Sequence, residues 1–361
     1  MWYNLRMATI SPYDTDAKGR PRSVAEIVTS RGTRIYLVPV ETFPNHVNNL
    51  YVVVSPEHTL LVDVGSQGCN DEIDQRFADL RENFEFDLGP EDVDEVLISH
   101  AHIDHFGNAR RFKNAGVPLA IHELDARVLQ EFEEALVLAS RDLGIYLLRA
   151  GVREEHVRAI VSRYQSGKDW FQPVEPDRRL RNGDRLGPGW PLLHVPGHCP
   201  GLMCLAVDDV VLTTDHVLSR ITPTQAPQWI TPYMGVENYL RSLAKLRDFG
   251  EFSLGLGAHE APMSSVHGRI EETIDHHYLR LRKTHTICHE PRTIKEISQD
   301  LFGSLSGYSV QLGLNEAGAH VEMLHDLGYL RIDNLDEVAK DLEAPGLYVQ
   351  SARPLSDDRS R

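Results

Sequence analysis

The segment Ser99-His100-Ala101-His102-Ile103-Asp104-His105 places three imidazoles and one carboxylate within six positions. Histidine nitrogens and carboxylate oxygens are ligands for divalent ions, which activate water and polarise carbonyls. The motif follows an apolar run, residues 93–98, that reads as a strand. Side chains at i and i+2 of an extended segment point the same way, so His100 and His102 converge. Asp104 and His105, on the turn that follows, reach a second point a few ångströms off. That arrangement suits two metals side by side. A histidine-rich surface turn is the plainer alternative, and four donors at this density directly behind a buried-looking strand weigh against it.

Three more donors stand where strand-like runs end: His198 in Val195-Pro196-Gly197-His198-Cys199-Pro200-Gly201, Asp215 after Thr213-Thr214, and His259 after Gly257-Ala258. Two glycines and two prolines fix the turn around His198. Asp63 likewise closes Leu60-Leu61-Val62, and Gly65 lets the chain turn sharply away. Open α/β sheets place their sites at such strand ends. Each residue alone would read as a satisfied core or surface group, but in this order behind the first motif they form one set. Cys199 reads as a small buried side chain and not as a nucleophile.

The elements that must hold these residues alternate between strand and helix. Residues 1–33 read as an irregular arm. Residues 34–40, 49–55 and 58–64 form a β-meander, and residues 71–84 a helix with Ile73, Phe77 and Leu80 on one face. Past the first motif come a helix end at 107–114, a strand at 117–121, a helical stretch at 123–148 broken near Gly144, and a helix at 153–164. Residues 123–170 are thus a helical insertion, read as a lid or pocket wall. Its stripe of Leu129, Phe132, Leu136, Leu143 and Tyr146 equally fits packing or a dimer contact. Strands at 191–195, 201–207, 209–213 and 252–256, with a helix at 236–249, complete an α/β layered fold with two sheets inside and helices outside. Beyond residue 264, helices at 267–282, 294–301 and 316–327 and a hairpin of 329–332 with 347–349 resemble a winged helix over 265–350. The polar tail 351–361 reads as disordered.

The 361 residues, 41% hydrophobic, suffice for a sizeable core and a smaller second domain. A net charge of −16 repels phosphate backbones, which disfavours nucleic acid as a partner. Acidic residues also outnumber basic ones across 265–331, so the C-terminal module reads as structural or substrate-capping. Residues 1–22 lack an apolar leader and no run approaches a membrane span, so a cytoplasmic protein without membrane attachment is expected. Cys69, Cys199, Cys204 and Cys288 form no CxxC pair and read as reduced thiols.

The set Asp63, His100-x-His102-x-Asp104-His105, His198, Asp215 and His259 resembles the metallo-β-lactamase superfamily, in its glyoxalase II-like, dinuclear branch, over residues 34–264. The resemblance implies an αββα sandwich with the site along one edge of the two sheets. It implies His100, His102 and His198 on a first metal, Asp104, His105 and His259 on a second, Asp215 bridging them, and Asp63 orienting ligands from behind. Two zinc ions are the implied cofactor, with iron or manganese as alternatives. Ions about 3.5 Å apart would hold a bridging hydroxide that attacks a carbonyl, with Asp104 both ligating and positioning or relaying a proton. The implied function is hydrolysis of a small acyl substrate: a thioester, ester or lactone. The alternatives are a mononuclear iron dioxygenase of thiol or persulfide substrates, disfavoured by the complete second-site set, and a metal-dependent endoribonuclease, disfavoured by the charge. Trp170, Phe171, Trp229 and Tyr233 are expected to line the substrate pocket, and a homodimer is the assembly considered.

Overall fold

The computed structural model describes residues 7–355, so the start of the expected arm (1–6) and the end of the expected polar tail (356–361) lie outside the described residues. The chain forms two compact units. The first comprises Met1–Glu133, Lys168–Pro223 and Ser242–Glu271, and the second Glu134–Gly167, Thr224–Arg241 and Glu272–Arg361.

Two sheets make the first unit. One runs β1 (Thr9–Ile10), β2 (Ala25–Val28), β3 (Arg34–Phe43), β4 (His46–Val54), β5 (Thr59–Val62), β6 (Glu95–Ile98), β7 (Leu119–His122) and β8 (Arg178–Leu180), in that spatial order. It is antiparallel to β5 and parallel beyond, because the meander's tight turns give way to helical crossovers. The other holds β9 (Arg185–Leu186), β10 (Trp190–His194), β11 (Met203–Val207), β12 (Val210–Thr214) and β13 (Leu254–Gly257), with only β12 and β13 parallel. Inward residues alternate along the strands, and Leu37, Tyr51, Val53, Val62 and Leu97 of the first sheet join Leu192, Met203, Leu205, Leu212 and Leu256 of the second in one buried cluster. Each such side chain contributes about 1.5–3 kcal/mol when withdrawn from water. Outside the first sheet lies α1 (Asn70–Phe84), whose buried Ile73, Phe77 and Leu80 follow the helical period. The short α2 (Ile103–Phe106) and α3 (Ala109–Asn114) carry the chain from β6 to β7.

The expected irregular arm contains a strand of the first sheet. Val24, Ala25 and Ile27 are buried, and β2 pairs with β3 over four residues, because the alternation Ala25-Glu26-Ile27 supplies one apolar face to the sheet core. The helical stretch is also broken elsewhere than at the expected Gly144. It breaks at Glu131, between α4 (Glu123–Gln130) and α5 (Phe132–Arg149), and runs unbroken through Gly144. A Cβ at Gly144 would stand 3.2 Å from Val161 on α6 (Glu154–Gln165), so the missing side chain lets two helices approach.

In the second unit, Leu143, Tyr146, Leu147 and Val157 of the insertion share a core with Leu281, Ile297, Leu314, Val321 and Leu330. The helical part of the insertion and the C-terminal segment therefore have one hydrophobic core between them. α7 (Val236–Phe249) and α8 (Val266–Ile287) each begin in one unit and end in the other. α9 (Ile294–Phe302) and α10 (Tyr308–Asp326) complete the second unit with a two-stranded antiparallel ribbon, β14 (Leu330–Ile332) with β15 (Tyr348–Gln350), as the sequence suggested. Among the described residues no helix is long and apolar enough to cross a membrane.

Candidate metal centre

The ends of four strands meet along one edge of the sandwich. Asp63 follows β5, His100 follows β6, Asp215 follows β12 and His259 follows β13, while His198 lies on the turn from β10 to β11. Asp63 adopts the left-handed conformation, φ 64°, which turns its carboxylate under the loop after β6. All seven residues singled out as donors, namely His100, His102, Asp104, His105, His198, Asp215 and His259, come together here. His100, His102, His198 and Asp215 form one group of donor atoms lying within 4.8 Å of one another, His105, Asp215 and His259 form a second, and Asp104 groups with His259 and with His46.

Asp215 is the shared member. Its Oδ2 lies 3.5 Å from His198 Nε2, 3.5 Å from His105 Nε2 and 3.8 Å from His100 Nε2, and its Oδ1 lies 3.4 Å from His259 Nε2. Asp104 Oδ2 stands 3.4 Å from His105 Nε2 and 3.7 Å from His259 Nε2. Ligands held roughly 2.0–2.1 Å from a tetrahedral ion lie about 3.4 Å from each other, so this spacing fits metal ligation. It is too long for ordinary hydrogen bonding, and Asp215 Oδ1 is buried with no hydrogen-bond partner among the described residues.

The outward nitrogens support the same reading. His259 Nδ1 lies 2.9 Å from the Val47 carbonyl, which can only accept, so Nδ1 carries a proton outward and Nε2 is the nitrogen turned to the centre. His105 Nδ1 meets Asp63 Oδ2 at 2.8 Å, and His100 Nδ1 meets the Ser99 hydroxyl at 3.0 Å. Asp63 also accepts from Ser99 N at 2.8 Å and Ser99 Oγ at 2.9 Å, so one carboxylate sets both the loop and the His105 ring. Burial, then the neighbouring His105 and His102, hold His100 well below the usual imidazole range. Burial, then His198, lowers His102 to about 3. Burial thus favours the neutral form of both, the form that ligates a metal, whereas at His105 and His259 the carboxylates of Asp104 and Asp215 outweigh burial and push the imidazoles up, His259 to about 9. Burial opposes charge on Asp215, but His259 and then His105 outweigh it and keep the carboxyl well below its ordinary value.

Three functional residues were not among those expected. His46, the first residue of β4, places Nε2 3.0 Å from Asp104 Oδ2, and Asn48 Nδ2 donates to the same oxygen at 3.0 Å. Asp125, in the first turn of α4, is buried and accepts from Ala101 N and Gly201 N, each at 2.9 Å, and from the Cys199 thiol at 3.3 Å. Burial raises its carboxyl to about 6. Asn48 and Asn49 did carry a signal, since two adjacent amides inside the apolar run of β4 must find partners. Asn49 faces the opposite side from Asn48 and ties down the chain beside His259: its N donates to Ala258 O at 2.6 Å and its Nδ2 to Glu260 O at 2.7 Å. Asn49→Ala is expected to cost roughly 1–3 kcal/mol, because the amide's partners stay buried. A thermal melt checks this, with an expected fall of roughly 3–10 °C.

The four expected pocket residues separate. Phe171 is buried against Phe106, 4.7 Å between centroids, and Phe132, 5.4 Å, so it is core and not pocket wall. Trp170 is 54% exposed, with its ring 6.1 Å from Phe43, which lies 6.4 Å from His46. Trp229 and Tyr233 belong to the second unit, where Trp229 stacks on Tyr348.

A further donor group, His277, Glu316 and His320, lies in the second unit. His320 Nδ1 donates to Glu316 O at 2.7 Å, and its Nε2 faces His277 Nδ1 at 3.2 Å with the rings 16° from parallel and centroids 5.3 Å apart. At that separation the two nitrogens are within hydrogen-bond reach of each other. Arg280 takes the Glu316 carboxylate. This group is a buried hydrogen-bonded network.

The family model described as metallo-beta-lactamase superfamily matches residues 44–252, more than half of the chain. Among solved structures, a metallo-beta-lactamase family protein from Thermus thermophilus is 26% identical, with a TM-score of 0.70 over 88% of this chain and 98% of its own. A beta-lactamase domain protein from Burkholderia ambifaria is 22% identical, with a TM-score of 0.69 over 88% of this chain and 92% of its own. No curated protein matches.

Proposed function

This chain belongs to the metallo-beta-lactamase superfamily, and we propose that it is a dinuclear metal-dependent hydrolase that cleaves the carbonyl of a thioester, ester or lactone. The observation that carries this reading is the convergence of six donors on two groups that share Asp215, with Asp104 beside His105 and His259 of the second. His100, His102 and His198 would hold one divalent ion, Asp104, His105 and His259 the other, and Asp215 both. Such ions supply a water-derived nucleophile at neutral pH and Lewis acidity toward the carbonyl.

The chain's own residues supply the rest. Asp104 Oδ2 accepts from Asn48 and meets His46, so the carboxylate is held in one orientation and has a half-exposed imidazole beside it to exchange protons with solvent. The exposed Trp170 and the half-buried Phe43 form an aromatic shelf leading to His46, which suits the apolar part of an acyl group. The acidic chain favours such a substrate over a phosphodiester backbone.

Dialysis against a chelator is expected to abolish turnover of a panel of acyl thioesters, esters and lactones, and zinc or manganese to restore it. Elemental analysis of the isolated protein should find about two divalent ions per chain. About one iron per chain, with oxygen uptake on thiol substrates and no hydrolysis, would overturn the proposal.

A further inference from the structure

Behind the donor cluster stand two buried carboxylates that are not themselves among the seven donors. Asp63 serves the second site through His105. Asp125 has no counterpart role in the function proposed above, yet its environment is as specific. Its Oδ2 accepts from Ala101 N, on the residue between His100 and His102, and its Oδ1 accepts from Gly201 N, three residues beyond His198. The Cys199 thiol, next to His198, donates to Oδ2. All three donors lie in the two turns that carry the three imidazoles of the first site: Ala101 N belongs to the His100–His102 stretch ahead of α2, which carries Asp104 and His105, and none of the three is on the segment carrying His259. The approach is close: a Cβ at Gly201 would stand 2.5 Å from Asp125 Cγ, so glycine is required there for the carboxylate to reach the backbone.

We infer that Asp125 is a positioning residue that joins the His100–His102 turn to the His198 turn, and so sets the affinity of the first site separately from the second. The inference rests on the dinuclear reading. A carboxylate suits the task because both of its oxygens accept, so it can satisfy two peptide N–H groups from different loops at once. An amide of the same shape cannot: its oxygen serves one N–H while its NH2 opposes the other. A side chain that merely filled space would be replaced by asparagine without loss.

The test is zinc titration of the full chain and of Asp125→Ala and Asp125→Asn, with cobalt substitution to report on each site by its visible absorption. The wild-type chain should take up about two ions, and Asp125→Ala should weaken one of them by about 10–100-fold while the other changes by less than about twofold. Asp125→Asn, which keeps volume and folding, should weaken the same ion by about tenfold. The cobalt bands lost in either variant should match those lost in His102→Ala and not those lost in His259→Ala. Wild-type affinity at both sites in Asp125→Asn, or equal weakening of both, would overturn the inference. A wild-type chain that binds no pair of ions would instead overturn the dinuclear reading itself.

Discussion

Replacing Asp104 with alanine is expected to lower kcat for acyl hydrolysis by about 10²–10⁴-fold while leaving the fold intact. The activity loss follows from where the carboxylate stands. It faces both His105 and His259, and no other carboxylate besides Asp215 reaches those two nitrogens among the described residues. Burial alone would raise its carboxyl, but His105 and then His46 and His259 outweigh that and keep it well below its ordinary value. The variant should nevertheless fold, because little is stranded by the change. Asn48 Nδ2 keeps the Asp104 backbone carbonyl at 3.2 Å, and His46 is half-exposed and can turn to water. His105 retains Asp63 and Asp215. Steady-state kinetics with a thermal melt on the same preparation check both halves. Unchanged turnover would sink the dinuclear mechanism, and a collapsed melt would show that Asp104 is structural.

Much of this site could be read from the residues alone, for reasons specific to strands. A β-strand exposes its end to the edge of the sheet, so a polar residue closing an apolar run, as Asp63, Asp215 and His259 do, marks a site wherever the fold brings those edges together. The density of donors in His100–His105 then narrows the chemistry to metal ligation. What stayed hidden depends on contacts distant in the chain. Asp125 sits in the first turn of a helix, where an acid is expected merely to complement the helix dipole, and nothing nearby shows that it is buried beneath two loops. His46 follows a turn and looks like ordinary surface. Phe171 adjoins an exposed tryptophan, and only the packing of Phe106 and Phe132 around it shows that the two rings have opposite fates. Gly144 looks like a helix breaker because its function, contact with Val161 on another helix, is absent from its local sequence. The core that the insertion shares with the C-terminal segment is likewise invisible to periodicity, which identifies an apolar face but not the face that covers it.

The second large effect is expected at Asp63. Its carboxylate holds three donors: Ser99 N, Ser99 Oγ and His105 Nδ1. Alanine would leave Ser99 N and His105 Nδ1 buried without an acceptor, and the Ser99 hydroxyl, whose oxygen accepts from His100 Nδ1, would lose its own acceptor as well. Three unmet buried donors cost roughly 3–9 kcal/mol together, so Asp63→Ala should melt far below the wild type and yield little folded protein. Asp63→Asn is the sharper experiment, because it preserves shape. Its oxygen can accept from Ser99 N, but its NH2 then points at His105 Nδ1, and the imidazole can meet it only by moving its proton to Nε2. That proton would project toward Asp104 and Asp215, where the lone pair is needed for a metal. Asp63→Asn should therefore fold, melt within a few degrees of the wild type, and bind its second ion about 10–100-fold more weakly. Zinc titration read beside the melt separates these quantities. A variant that melts normally and holds both ions with wild-type affinity would show that the tautomer of His105 is fixed by something other than Asp63.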